Sequence, residues 1–298
     1  MAKRVLIYTN HFHPEQFKIN EIVGWLSSQE NHIRVITGLP NYPSGNIITG
    51  YSDKIYKKIL INRLLLIPRG NASNLMLLVN YLSYFISCSI FTLYIAIFKK
   101  KYDIIFVHHT SPIFISIHPI LYSLFHKTKK ILWDLDIWPE SLKAVGVVKS
   151  KIFNKLIKSI VKWIYSKYDS ILVSSKPMVN IVQKRYNGKV IYFPNWADKV
   201  VEQNQIIKNY NFNVNIEKFN IIYTGNLGKS QNLKALVSTI ESVDDNIHWI
   251  FVGGGRTKKE FFNKLKSKNL INKTTFIDQV EIDKIPTIAR SANALFLS

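Results

Sequence analysis

Tyr223-Thr-Gly-Asn-Leu-Gly-Lys-Ser-Gln-Asn-Leu233 decides how this chain is read. Phe219 to Thr224 is short and apolar, the pattern of a buried strand. Gly225 and Gly228 allow a tight turn, and the spacing from Gln231 to Ser242 is helical. A helix N-terminus presents bare backbone N–H groups and the positive end of its dipole, so a strand–turn–helix junction of this kind receives phosphate. Lys229 adds a cation, and Asn226 and Gln231 add side-chain donors. About 30 residues later the pattern recurs, with Ile247–Val252 as strand and Gly253-Gly254-Gly255-Arg256 as turn. Gly225, Asn226, Gly228, Lys229, Gln231, Gly253, Gly254 and Gly255 are therefore the candidate phosphate-site residues. An ordinary left-handed turn with an exposed lysine is the alternative.

Upstream, strands are expected at Val5–Thr9, Ile33–Thr37, Ile61–Ile67, Asp103–His108, Lys130–Leu135, Ser170–Ser174 and Lys189–Phe193. Helical stretches near Glu15–Gln29, Leu75–Phe98, Ser111–His126 and from Lys151 separate them. Apolar strands alternating with helices predict a doubly wound parallel sheet. Asp198 to Lys218 is polar and rich in asparagine, and further strands follow near 219–224, 247–252, 274–277 and 294–297. The expected division is a domain over 1–197, a connection over 198–218 and a second α/β domain over 219–298. Ligands bind beyond the carboxyl ends of such strands. That rule marks loops 10–16, 38–50, 108–112, 134–141, 225–231 and 253–256.

The net charge of +21 calls for an anionic partner. Eleven Lys/Arg and one acid lie between Lys143 and Lys189. Ile152, Phe153, Leu156, Ile157, Ile160, Val161 and Ile164 mark one helical face there, with Lys151, Lys155, Lys158 and Lys162 beside it. Such a helix suits an anionic membrane surface, or packs on a core with a solvated lysine face. No nucleic-acid module accompanies the charge, so nucleic acid is not expected. Leu75–Phe98 carries no charge and is long enough to cross a bilayer, but Asn80, Ser83 and Ser87 share one stripe. A buried or interfacial crossover helix is the expectation. Cys88 is the sole cysteine, which leaves no disulfide framework. Lys3-Arg4 runs straight into a strand without a signal-peptide apolar region, so a cytoplasmic location is expected.

Within the first domain, His11-Phe-His-Pro-Glu15 lacks the G-x-G-x-x-G dinucleotide fingerprint. His13 and Glu15 are placed to contact a sugar, or to serve as turn and helix-start residues. Asn41 and Tyr42 sit in the turn-rich loop Leu39–Gly45, where an aromatic stacks on sugar or stiffens the loop. His108 and His109 are adjacent at a strand tip, so alternation points them to opposite faces and argues against a shared metal. A neutral imidazole there hydrogen-bonds a hydroxyl. Asp134 and Asp136 imitate an Asp-x-Asp metal pair, but acceptor recognition or loop-fixing is the favoured reading. Trp138 and Glu140 complete that strand end.

These motifs together resemble a GT-B glycosyltransferase of the retaining family 4 group that builds bacterial surface polysaccharide. The carriers are Tyr8-Thr-Asn-His-Phe-His-Pro-Glu15, Pro40-Asn-Tyr-Pro43 with Gly45, Asp136-Ile-Trp-Pro-Glu-Ser141, Pro194-Asn-Trp196, Thr224-Gly-Asn-Leu-Gly-Lys229 with Gln231, and Val252-Gly-Gly-Gly255. The Trp-Pro-Glu-Ser run is most similar to the fucosamine and colanic-acid transferase subgroup. The resemblance implies two Rossmann-like domains facing a cleft. It implies a nucleoside-diphosphate sugar, UDP-linked, held near Lys229, with no metal and no further cofactor. The acceptor would be a polyprenyl-diphosphate-linked sugar at the cytoplasmic face of the inner membrane, the protein being peripheral there. His109 and Asp136 would be the catalytic pair, with His13, Glu15, Asn41, Tyr42, Trp138 and Glu140 on the acceptor. The donor's own phosphate would assist the incoming hydroxyl.

Two departures accompany the resemblance. Asn226 stands where family members often carry arginine. The chain ends at Ala292–Ser298 on a strand, before the family's E-x7-E pair, so the second domain is expected to be incomplete and transfer weak. A nucleotide-sugar epimerase of the same architecture and an inactive acceptor-binding membrane protein are the competing readings.

Overall fold

The computed structural model describes residues 2–70, 73–144, 146, 150–197, 214, 217–228 and 231–297. They divide into two compact units, Met1–Asn195 and Trp196–Ser298. The first is built on strands β1 (Arg4–Thr9), β2 (His32–Gly38), β3 (Ile59–Leu64), β4 (Ile104–His109), β5 (Lys129–Asp134), β6 (Ser170–Val173) and β7 (Lys189–Tyr192). The second carries β8 (Phe219–Thr224), β9 (Ile247–Val252), β10 (Thr274–Ile277) and β11 (Ala294–Leu295). The strand orders are β3-β2-β1-β4-β5-β6-β7 and β10-β9-β8-β11, and every pairing is parallel. This is the expected α/β class, with two Rossmann-like units. Strand order reverses between β1 and β4 in one sheet and between β8 and β11 in the other. At such a reversal the loops diverge and leave a crevice beyond the strand ends.

Helices α1 (Ile19–Ser28), α2 (Asn74–Phe98), α3 (His118–Tyr122), α4 (Glu140–Ala144), α5 (Lys151–Tyr165) and α6 (Lys176–Gln183) serve the first unit. The second has α7 (Leu233–Ser242), α8 (Lys258–Ser267) and α9 (Ile285–Arg290). Tyr84, Cys88 and Ile95 of α2 and Ile157, Val161 and Ile164 of α5 share one core cluster with Leu6, Tyr8 and Ile36 of the sheet. The second core gathers Leu227, Val237, Ile240, Trp249, Phe251 and Leu265.

Three expectations are corrected. The helix near Glu15 begins only at Ile19, because Phe12–Glu15 forms a turn closed by Glu15 N to Phe12 O at 3.1 Å. The single helix expected over Ser111–His126 is a 3-10 turn, Ile113–Ile117, followed by the five-residue α3. Pro119 lies in the first turn of α3, where its missing N–H costs nothing, so the helix restarts there. On α5 the expected apolar face is divided: Ile157, Val161 and Ile164 are buried, whereas Ile152, Phe153 and Leu156 face solvent.

Candidate active site

The β1 and β4 ends hold a dense set of buried polar side chains. His11 Nδ1 lies 2.8 Å from Glu15 Oε2, and Arg69 donates to His11 Nε2 at 3.0 Å. Since Nε2 accepts, Nδ1 carries the proton and the ring is neutral. Glu15 Oε1 accepts from the backbone N–H groups of Asn41 (2.9 Å) and Tyr42 (2.7 Å). Burial alone would raise the Glu15 carboxyl, but His11 and the two N–H donors outweigh it and bring it below the usual value. Glu15 thus clamps the 41–42 loop onto β1, with both oxygens occupied by the protein. Tyr42 packs against His11 and Phe17, and Arg69 lies over the rings of Tyr42 and Tyr81. His13 sits apart from this cluster, edge-on to Tyr51 and Tyr56, its carbonyl held by Arg63 at 2.6 Å.

His108 and His109 do point to opposite faces of β4. The Thr9 hydroxyl donates to His11 O at 2.7 Å, so its oxygen accepts from His108 Nδ1 at 2.9 Å. Burial pushes the His108 imidazole down to about 3, with His11 and His109 adding to the effect. On the other face, His109 Nδ1 meets Asp134 Oδ1 at 2.7 Å, and both side chains are fully buried. Tyr165, from α5, donates to Asp134 Oδ2, and the Asp136 N–H reaches Asp134 Oδ1 at 3.3 Å. Burial, then the Asp134 charge, lifts the Tyr165 phenol well above its ordinary value, so it remains a donor. His109 Nε2 is buried and has no partner among the described residues. An imidazole fixed at one nitrogen and unpaired at the other is a hydrogen-bonding tool.

Asp134 and Asp136 do not act together. Asp134 belongs to β5 and turns to His109, while Asp136 lies past the strand end and accepts from the Ser111 hydroxyl. Ser111 also accepts from Trp138 Nε1 at 2.8 Å, and its carbonyl accepts from Asn10 Nδ2 at 2.8 Å. Asp136 and Trp138 therefore tie the loop after β5 to the loop after β4. Arg185 donates to Trp138 O at 2.8 Å and pairs with Glu140, fixing the start of α4. Ser111, Tyr165, Arg69 and Arg185 all escaped the sequence reading. Each meets its partner through the tertiary fold, and no local spacing announces it.

In the second unit the two glycine turns interlock. Gly225 N donates to Val252 O at 3.0 Å and Leu227 N to Gly254 O at 2.7 Å. A Cβ on Gly253 would lie 2.0 Å from the carbonyl oxygen of Gly225, and its φ of +142° is one that side chains resist. One on Gly255 would lie 2.4 Å from Leu227 O. Gln231 Oε1 accepts from Gly228 N at 3.1 Å, and the exposed Asn226 anchors the turn through its carbonyl to Tyr223 Oη at 2.9 Å. Lys258 stitches the arrangement further, donating to Gly253 O at 3.0 Å. Lys229 lies outside the described residues.

Residues 202–298 match the family model described as glycosyl transferases group 1. The match supports a transferase. Among curated proteins, the putative colanic acid biosynthesis glycosyl transferase WcaI of Escherichia coli K12 is 24% identical over 306 residues, covering 96% of this chain and 74% of its own. Among solved structures, sucrose-phosphate synthase of Thermosynechococcus elongatus superposes with a TM-score of 0.70 at 12% identity, over 99% of this chain and 75% of that one. Anabaena HepE, solved in complex with UDP, gives 0.58 at 11% identity, over 98% and 73%. These structural likenesses establish the GT-B fold class, and their low identity confines them to that.

Proposed function

We propose that this chain moves a sugar from a UDP-linked nucleotide sugar to a polyprenyl-diphosphate-linked acceptor, with retention, in bacterial surface polysaccharide (O-antigen or capsule) synthesis. The observation that carries the reading is the interlocked pair of glycine turns beyond β8 and β9, inside the segment that matches the glycosyltransferase family. Glycine lets backbone approach a diphosphate closely, and the first turn of α7 is the source of N–H donors to it. Lys229 supplies the cation. The UDP bound by HepE supports the donor nucleotide. The similarity to WcaI supports the polysaccharide setting.

His109 accepts a hydrogen bond from a sugar hydroxyl at Nε2, its ring held by Asp134, which Tyr165 holds in turn. Asp136 and Trp138 hold the loop that meets the acceptor, and His13, Asn41 and Tyr42 line the neighbouring loops. The leaving diphosphate takes the proton of the incoming hydroxyl as charge develops on it, so positioning and electrostatics are the protein's part. The enzyme works as a peripheral protein on the anionic cytoplasmic face of the inner membrane, and the nucleotide sugar is its only co-substrate.

The full chain titrated with UDP-sugars should bind one of them saturably. It should then transfer that sugar to a polyprenyl-diphosphate-linked acceptor in vesicles, the product keeping the donor's anomeric configuration by NMR. Absence of saturable nucleotide-sugar binding would sink the reading. Conversion of the donor to an epimer without acceptor would replace it with the epimerase.

A further inference from the structure

Helix α2 is polar toward the protein and apolar toward solvent. Asn80 donates to Ile67 O at 2.6 Å, Ser87 donates to Leu65 O at 2.7 Å, and Ser83 accepts from Ile67 N at 2.9 Å. Tyr84 donates to Thr9 O at 3.0 Å, and Cys88, Thr92 and Ile95 are buried behind it. The outward stripe is Leu75, Leu78, Leu82, Ile86, Ile90 and Tyr94, each between 43% and 68% exposed. At 1.5 Å per residue the stripe runs for roughly 30 Å. Surface helices of water-soluble domains show the opposite arrangement, and an unbroken apolar strip of this length marks a contact surface.

The charges around the stripe choose its occupant. Lys99, Lys100 and Lys101 follow α2 directly, and the Lys99 ammonium lies over the Tyr94 ring at 5.3 Å. Helix α5, packed into the same core cluster, exposes Ile152, Phe153 and Leu156 among the exposed lysines 151, 155 and 158. Apolar side chains interleaved with lysines suit acyl chains under anionic headgroups. A second copy carrying the same +21 charge would be repelled. The inner stripe is hydrogen-bonded and packed along the sheet, which a bilayer would have to admit if α2 crossed it.

We propose that α2 lies in the plane of an anionic bilayer, its outward stripe sunk among the acyl chains, and does not span the membrane. This deepens the reading of a membrane-bound acceptor and rests on it for its purpose. Lysines 99–101 then meet the lipid phosphates, and the first unit is held with its sheet outside the hydrocarbon.

Flotation of the full chain with phosphatidylglycerol vesicles tests this, comparing wild type with the Ile86→Asp/Ile90→Asp variant. The wild type should float, and the variant's partitioning should fall by roughly 100-fold, the loss expected when two large apolar side chains no longer leave water. UDP-sugar affinity should be equal in the two proteins, which separates loss of docking from failure of the transferase reading. With Ile86→Trp, bromines placed shallow in the acyl chains should quench fluorescence more than bromines near the chain ends. The proposal is overturned by a wild type that does not float, or by a variant that floats as well as wild type. Quenching strongest at the chain ends, or an Ile86-dependent dimer without vesicle binding, would overturn it equally.

Discussion

At the end of β1 and β4 the first unit fills its crevice with side chains, whereas at the end of β8 and β9 the second uses backbone. His11, Glu15, His109 and Asp134 are buried and bonded in pairs or to loop N–H groups, and buried His108 is bonded to the Thr9 hydroxyl. Gly225, Gly228, Gly253 and Gly255 carry no side chain at all. A buried polar network fixes orientation but depends on charge state and on every member being paired. A glycine cradle is indifferent to pH but tolerates no added atom.

The contrast can be broken from either side. Replacing Asp134 with alanine leaves His109 and Tyr165 buried without their partner. Each buried donor left unsatisfied costs about 1–3 kcal/mol, so urea unfolding should show a large drop in the first unit's midpoint. An unchanged midpoint would mean the network is solvated in solution. Gly253→Ala forces a Cβ against the Gly225 carbonyl at an unfavourable φ. Strain and overpacking each cost about 1–3 kcal/mol. Nucleotide-sugar affinity should therefore collapse, by calorimetry, while the first unit's unfolding stays the same.

The smallest effect sharpens the comparison by pH. His108 is held at about 3 when folded and takes up its proton near its ordinary value when unfolded, so the folded chain binds fewer protons between these limits. The neutral form's stability is complete above the ordinary histidine value and falls with decreasing pH below it, by about 1.4 kcal/mol per pH unit for one such group. His11 and His118 shift the same way. Thermal scans between pH 7 and pH 5 should lower the first unit's midpoint, and His108→Phe should flatten that slope. A slope unaffected by the substitution would locate the acid sensitivity elsewhere.

Much of the fold was legible because its signals are local. Most parallel strands from Val5 to Val252 announced themselves as apolar runs between breakers, although β3, expected over Ile61–Ile67, runs from Ile59 to Leu64, and strand alternation separated His108 from His109 correctly. The glycines of 225–228 and 253–255 were legible as turns, but their mutual contact was not, because 25 residues or more of chain lie between the carbonyls and the glycines they touch. Tyr165 was hidden for a different reason. It occurs in a helix read for its lysines, and only the packing of α5 on the sheet brings its hydroxyl to Asp134. Helix α2 shows its polar stripe in the sequence, but not which way it faces: Asn80, Ser83 and Ser87 meet loop carbonyls and N–H groups that a sequence does not display.

Cys88 sits on the inner stripe of α2, fully buried, its thiol pushed up to about 12 by burial. Thiol reagents attack the thiolate, so the native chain is chemically silent toward them at neutral pH. A cysteine placed on the surface would then be the sole reactive position. Dyes, spin labels or crosslinkers could be attached one at a time without first removing the natural residue. The chain is in this respect a ready background for distance measurements between its two units and between α2 and lipid.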